Sequence, residues 1–283
     1  MIPASFDYVR PTSVDEAVRA LGEAGEDAKV LAGGQSLIPV MRLRLAYPSV
    51  LVDLGKVEEL RGVRDDGDAI VIGAMTTHDT VLHDPLVTAH VPLVAEATAT
   101  VADRQVRHRG TFGGALAHAD PAGDLPAVVR ALDASFVVAG PQGRRTISAA
   151  DFFVDYLTSS LAPGEVLVEV RIPKLGEGWG VAYEKFVRVA QAWAIVGVAA
   201  AVRRSNGTIA EARIGLTNMG TTPVRASATE AALAGADAAG IEAAAASAAD
   251  GAEPPSDLGG AADYRAHLAT VLTARAVHRA AGF

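Results

Sequence analysis

The chain has 283 residues, half of them hydrophobic, a formal charge of −8 and no cysteine. That composition supports one large core or two smaller ones, and it excludes a disulfide framework, a thiolate nucleophile and an iron–sulfur cluster held by this chain's own side chains. The acidic balance, with no dense basic stretch interleaved with aromatics, argues against nucleic acid as a partner.

The first seven residues, Met1 to Asp7, carry neither the basic nor the apolar region of a signal peptide. No stretch of about 18 residues is both apolar and uncharged, which argues against a membrane span. Ser13-Val14-Asp15-Glu16 has the form of a capping box, and Val14, Ala17, Val18 and Leu21 follow at helical spacing. Gly22 and Gly25 mark the end of that helix. Residues 29–32 predict a strand running straight into Gly33-Gly34, an order unlike the strand–loop–helix opening of nucleotide folds. Residues 50–54 and 69–73 predict strands, with a turn at Asp65-Asp66-Gly67. Thr76-Thr77-His78-Asp79 predicts a second helix start, with Thr76 and Asp79 as the capping pair. Residues 92–102 and 125–132 predict helices, and 136–138 and 166–172 predict strands. Residues 173–178 are the best domain boundary, being short and rich in turn formers. Beyond it, residues 179–187, 195–202 and 209–216 predict strands. Pro223 predicts a helix start. Residues 231–250 form an alanine-rich stretch, helical or partly flexible, and residues 264–281 predict a last amphipathic helix.

Two glycine clusters stand out, Ala32-Gly33-Gly34-Gln35-Ser36 and Thr111-Phe112-Gly113-Gly114. Paired glycines after a strand let backbone N–H groups close on an anion. Ser36 and Thr111 add hydroxyl donors. Each cluster alone reads equally well as a tight turn; together they fit a large phosphate-bearing cofactor held from two sides. Neither is a Walker A loop or a Gly-x-Gly-x-x-Gly fingerprint. Asp120 and Asp124 are placed either to accept ribose hydroxyls or to stabilise a turn and cap a helix. With His118 they also make a metal-ligand set on paper, but nothing else in the sequence marks one, and no metal site is assigned. His78, His83 and His90 read as surface or packing residues. Arg104, Arg107, His108 and Arg109 suit an anionic cofactor, a partner subunit or plain solvent. Lys185 and Trp193 flank a strand boundary, where a cation and an aromatic would suit a flavin and where packing and solvation explain them equally. No residue is assigned as a catalytic acid, base or nucleophile.

These motifs resemble the FAD-binding medium subunit of the molybdenum hydroxylases, most nearly that of the aerobic carbon monoxide dehydrogenases. The resemblance covers nearly the whole chain. It rests on Ala32-Gly33-Gly34-Gln35-Ser36-Leu37-Ile38-Pro39, Thr111-Phe112-Gly113-Gly114, and Ala117-His118-Ala119-Asp120-Pro121 with Asp124. It implies an α+β fold: a two-lobed FAD-binding domain of the p-cresol methylhydroxylase and vanillyl-alcohol oxidase type over residues 1–176. A small sheet-and-helix domain of the CO dehydrogenase flavoprotein C-terminal type follows over residues 177–283. It implies that Ala32, Gly33, Gly34, Gln35, Ser36, Thr111, Gly113 and Gly114 surround the FAD pyrophosphate, with Asp124 on the ribose side and Lys185 and Trp193 near the flavin. Trp193 stands where relatives often carry tyrosine, and Gln191 where an aspartate is common. Gln35 holds a variable position, so its backbone contact carries over more readily than its side chain.

The implied role is electron transfer. A large partner subunit with a molybdopterin cofactor oxidises the substrate with oxygen from water, carbon monoxide being favoured over nicotine, aromatic acids or purines. A small partner carries two [2Fe–2S] clusters, which fits the missing cysteine here. Electrons reach the FAD of this chain and then an external acceptor, for which a quinone, a soluble carrier and oxygen are all open. The implied complex is a dimer of heterotrimers, cytoplasmic, meeting the inner face of the membrane only through the assembled enzyme. Two other classes stay open. A stand-alone FAD oxidase or dehydrogenase would need its own acid or base above the flavin. A non-enzymatic assembly or nucleotide-responsive module would bind flavin weakly or not at all.

Overall fold

The computed structural model describes residues 2–283. Three parallel strands form the first sheet, in the order Asp7–Val9, Val50–Asp53, Ala28–Leu31. Parallel neighbours need crossover connections, and the helices Val14–Ala24 and Leu37–Arg42 lie in them. Ser13 caps the first helix by accepting the N–H of Glu16. The reciprocal arm of the capping box is redirected: Glu16 accepts from the N–H and hydroxyl of Thr12, both at 2.8 Å. Val14, Ala17 and Leu21 face inward at the expected helical spacing.

The second sheet has five antiparallel strands, in the order Val63–Asp65, Ala69–Gly73, Val166–Pro173, Ser135–Gly140, Gly143–Ser148. Its central strand separates two cores. Val166 and Val168 point toward the first sheet, with Val14, Leu54 and Leu60. Leu167, Val170 and Ile172 point the other way, onto Leu93, Phe112, Leu116 and Leu125. Strict alternation would not put Leu167 and Val170 on one face. A β-bulge between Leu167 and Glu169 shifts the phase.

The second region is a four-stranded antiparallel sheet, Trp179–Phe186, Val196–Ser205, Thr208–Thr217 and Val224–Arg225, with the helix Ala262–Ala281 on one face. Along Val196–Ser205, Ala199 and Ala201 join the core of the first region, while Val198, Ala200 and Val202 face the last helix. Both approaches are close. A Cβ at Gly215 would lie 2.2 Å from the Ala127 carbonyl oxygen in the helix Asp124–Ala131, and one at Gly180 would lie 2.0 Å from the Ala280 carbonyl oxygen. The sheet is therefore wedged between two helices, one from each region. Among the described residues, no helix is long and apolar enough to cross a membrane.

Several local expectations are corrected. Pro223 leads into the strand Val224–Arg225, which pairs with Gly215 and Leu216, and the helix begins only at Ser227. Proline is tolerated there because the strand is an edge. The second helix start is capped by Thr77, which accepts from the Thr80 N–H; the Thr76 hydroxyl turns inward and donates to the Gly62 carbonyl. The helix expected over residues 92–102 stops at Ala99, because Ala102 takes a left-handed φ of 40° and Asp103 caps the next helix, Arg104–Arg109. The alanine-rich stretch breaks at Gly235, whose φ is +81°, and at the Asp237 cap.

Candidate cofactor site

A cleft of about 1030 Å³ is lined by the Gly33 to Ser36 loop, by Thr111 and the helix that follows it, by Asp120 to Pro126, and by Lys185, Gln191, Ala192 and Trp193 of the second region. This volume lies at the upper end of the range for small-molecule sites, about 300–1,000 Å³, and suits a dinucleotide. The strand Ala28–Leu31 delivers the first loop. Gly34 has a φ of +75°, which favours glycine. A Cβ at Gly33 would lie 2.3 Å from the Arg109 carbonyl oxygen and 2.7 Å from Gly110 Cα. The first glycine loop thus touches the backbone just before Thr111, and glycine at 33 is needed for that contact. The N–H groups of Gly33, Gly34, Gln35 and Ser36 find no acceptor among the described residues. Ser36 opens the helix Leu37–Arg42 without capping it, so its hydroxyl is free. Ala32 lines the same wall; the Gln35 amide folds back to donate to the Gly33 carbonyl at 3.2 Å.

In the second loop, the Thr111 hydroxyl oxygen accepts the Gly114 N–H at 3.1 Å and caps the helix Phe112–His118. Its O–H proton is left to donate. Gly114 lines the cleft, but Gly113 does not. The Gly113 N–H is given to the Ala74 carbonyl at 2.9 Å, and a Cβ there would strike Ala74 Cα at 2.6 Å. Gly113 therefore packs the helix Phe112–His118 onto the sheet, next to Gly114 on the cleft wall.

Asp124 is the most engaged charge in the site. Lys185 Nζ donates to its Oδ2 at 2.8 Å and to the Thr100 carbonyl at 3.1 Å, and the Tyr183 hydroxyl donates to its Oδ1 at 2.8 Å. All three side chains are nearly enclosed. Burial pushes the Asp124 carboxyl up, and the Lys185 charge and the two hydrogen bonds pull against it. Burial and the Asp124 charge hold the Tyr183 hydroxyl well above the usual phenol range, so it stays a donor. Tyr183 and Lys185 lie two residues apart on one strand, hence on one face. That spacing was a signal for Tyr183, which sequence reasoning missed.

Trp193 stands 58 % exposed at the cleft mouth, after Gln191 in a left-handed φ of 68°. The return of this loop is pinned. Asn218 donates through Nδ2 to the Ala194 carbonyl at 2.8 Å and through its N–H to the Pro121 carbonyl at 2.8 Å. The buried Arg265 donates to the Ile195 carbonyl and pairs with Asp257 at 2.6 Å. His118 and Asp120 line the cleft, yet among the described residues no three His, Asp or Glu are grouped to hold a metal. His78, read from sequence as surface or packing, is buried and lines the cleft, as do Val101, Ala102 and Leu161. Nothing in the sequence around these four distinguishes them.

Residues 4–175 match the FAD binding domain in molybdopterin dehydrogenase, and residues 181–280 match the CO dehydrogenase flavoprotein C-terminal domain. The chain belongs to the FAD-carrying medium subunits of the molybdenum hydroxylases. Among other medium subunits, it is 45 % identical to the carbon monoxide dehydrogenase medium chain of Hydrogenophaga pseudoflava, over 99 % of this chain and 98 % of that one. It is 40 % identical to the 6-hydroxypseudooxynicotine dehydrogenase complex subunit alpha of Paenarthrobacter nicotinovorans, over 99 % and 97 %. Among solved structures, it superposes on carbon monoxide dehydrogenase from Hydrogenophaga pseudoflava lacking the Mo-pyranopterin moiety, with a TM-score of 0.96 and 47 % identity over 99 % of this chain and 98 % of that one. Quinoline 2-oxidoreductase from Pseudomonas putida 86 gives 0.95 and 37 % over 100 % and 99 %. As a medium subunit, this chain is the flavoprotein component of a molybdenum oxidoreductase, and the free amides and the size of the cleft fit FAD.

Proposed function

We propose that this medium subunit serves an enzyme that oxidises carbon monoxide with water to carbon dioxide, releasing two protons and two electrons. It receives electrons from [2Fe–2S] clusters of a small partner subunit and passes them to an external acceptor, a quinone being the first to test. The large partner subunit holds the molybdopterin cofactor and selects the substrate. The assembly is a dimer of heterotrimers in the cytoplasm, meeting the membrane only at its inner face. The single observation that carries this reading is a cleft whose phosphate-type loops belong to the first domain while Lys185 and Trp193 close it from the second. The domain boundary is placed at 176/177.

Bound FAD supplies a carrier that takes electrons singly and releases one or two. The residues of this chain hold and orient it. The unpaired amides from Gly33 to Ser36, with Ala32 and Gln35 shaping the loop, meet the pyrophosphate from one side. The Thr111 hydroxyl and Gly114 meet it from the other, and Gly113 supports the helix behind them. Asp124 keeps lone pairs for a cofactor hydroxyl even with Lys185 and Tyr183 bound. Trp193 offers its face to the flavin at the mouth, where it limits water.

The test is the visible spectrum of the protein purified with its co-expressed neighbours, recorded anaerobically before and after carbon monoxide. Flavin and iron–sulfur bands that bleach with carbon monoxide support the assignment. Bands that bleach only with an N-heterocycle or an aldehyde would move the substrate assignment elsewhere. A folded, colourless protein that refuses added FAD would overturn it.

A further inference from the structure

His78 opens the short helix His78–His83 at the floor of the cleft and is 3 % exposed. Its backbone N–H donates to the Gly110 carbonyl at 3.0 Å, which ties it to the residue that touches Gly33. The ring lies directly behind Gly110: a Cβ there would come within 2.9 Å of the His78 Cδ2 and 3.3 Å of Nε2. Nδ1 is buried and has no hydrogen-bond partner. The cation beside it is Arg107, which is turned away to hold the Val101 and Ala102 carbonyls at 2.8 and 3.4 Å. The ring therefore has no carboxylate to charge it. A neutral imidazole presents one N–H donor and one acceptor nitrogen, and leaving the buried Nδ1 idle is costly.

We propose that His78 is a FAD-binding residue of this chain, a neutral imidazole that hydrogen-bonds an oxygen of the cofactor beside the Gly33 to Gly34 loop. The amides of that loop have no acceptor, and the imidazole adds a donor from behind Gly110 without adding charge. Cofactor oxygens of either kind present there, phosphate or ribityl hydroxyl, accept such a bond. His78 thus fills the part of the wall where the backbone of Gly110 is too close-packed to carry a side chain of its own. The assignment rests on FAD occupying this cleft.

The experiment uses the full chain freed of flavin, with His labelled with nitrogen-15. FAD is the titrant, and its affinity is read by flavin fluorescence in the wild type, His78→Gln and His78→Phe. The expected result is FAD binding by the wild type, at least tenfold weaker binding by His78→Phe, and partial recovery in His78→Gln, whose amide can still donate. In the wild type, the ring-nitrogen signals of His78 should shift on saturation, to a fixed single tautomer. If His78→Phe fails to fold, the nitrogen signals and His78→Gln still decide. Binding within twofold of wild type in both folded variants, or ring signals indifferent to FAD, overturns the assignment of His78 alone. Failure of the wild type to bind FAD overturns the placement of FAD in the cleft.

Discussion

At the scale of single residues, two buried titratable groups make the sharpest predictions. Lys185 is the only cation bonded to Asp124 among the described residues. Replacing it in Lys185→Met leaves a buried carboxylate without its counter-charge, held by Tyr183 alone, which should cost about 3–5 kcal/mol. The guanidinium midpoint should fall at unchanged slope, and adding Asp124→Asn should restore part of the loss by removing the charge. His78 predicts a pH effect in the FAD-free protein. Burial, with the Arg107 charge second, lowers its pKa from 6.5 to about 4. Above pH 6.5 the ring is neutral in folded and unfolded chains and costs nothing. Between pH 6.5 and 4 the unfolded chain takes the proton and the folded chain refuses it, so stability falls, by up to about 3 kcal/mol in all. Denaturation curves at pH 7, 5 and 4 should show that slope, and His78→Gln should flatten it. Lys185 could be singled out in the sequence as a cation at a strand boundary, where packing explained it equally well; its bond to Asp124 could not be read there. His78 read as a surface or packing residue, because only the folded chain places its ring behind Gly110 and on the cleft wall.

At the scale of elements, the helix Val14–Ala24 was readable almost to its ends, since its cap and its apolar spacing agree. The helix Phe112–His118 was missed, because two glycines near its start depress helix propensity, and tertiary packing on Ala74 overrides them. The bulge in Val166–Pro173 was equally hidden, as it depends on the partner strand. Glycine has different meanings in these elements, and substitution separates them. Gly22 sits in the exposed last turns of the first helix with open space around its Cα. Gly22→Ala should stabilise by about 0.5–1 kcal/mol with no change in FAD affinity. Gly33→Ala pushes a methyl into the Arg109 carbonyl and should destabilise by about 1–3 kcal/mol. It should also weaken FAD binding at least tenfold. Thermal melts and fluorescence titration of the two variants, side by side, check both statements.

At the scale of the whole molecule, the second region is docked by backbone contact as much as by side chains. Gly215 lets the sheet rest on Ala127, and Arg279 links the last helix to Glu96 and Glu184 at 2.7 Å each. Gly215→Val should lever the two regions apart. The expected outcome is a calorimetric transition that splits in two, with loss of FAD, whereas a single transition at nearly the wild-type temperature would show the interface tolerates the methyls. The general α+β order of strands and helices could be read from the chain, but this wedge could not, because it depends on small residues meeting across distances of a hundred positions. Its consequence concerns the order of synthesis. Lys185, Gln191 and Trp193 line the same cleft as Gly33, yet they leave the ribosome only after the whole first region has emerged. A nascent chain ending before them presents only part of that wall, so a chain truncated before Lys185 is expected to hold FAD more weakly than the full chain in a fluorescence titration.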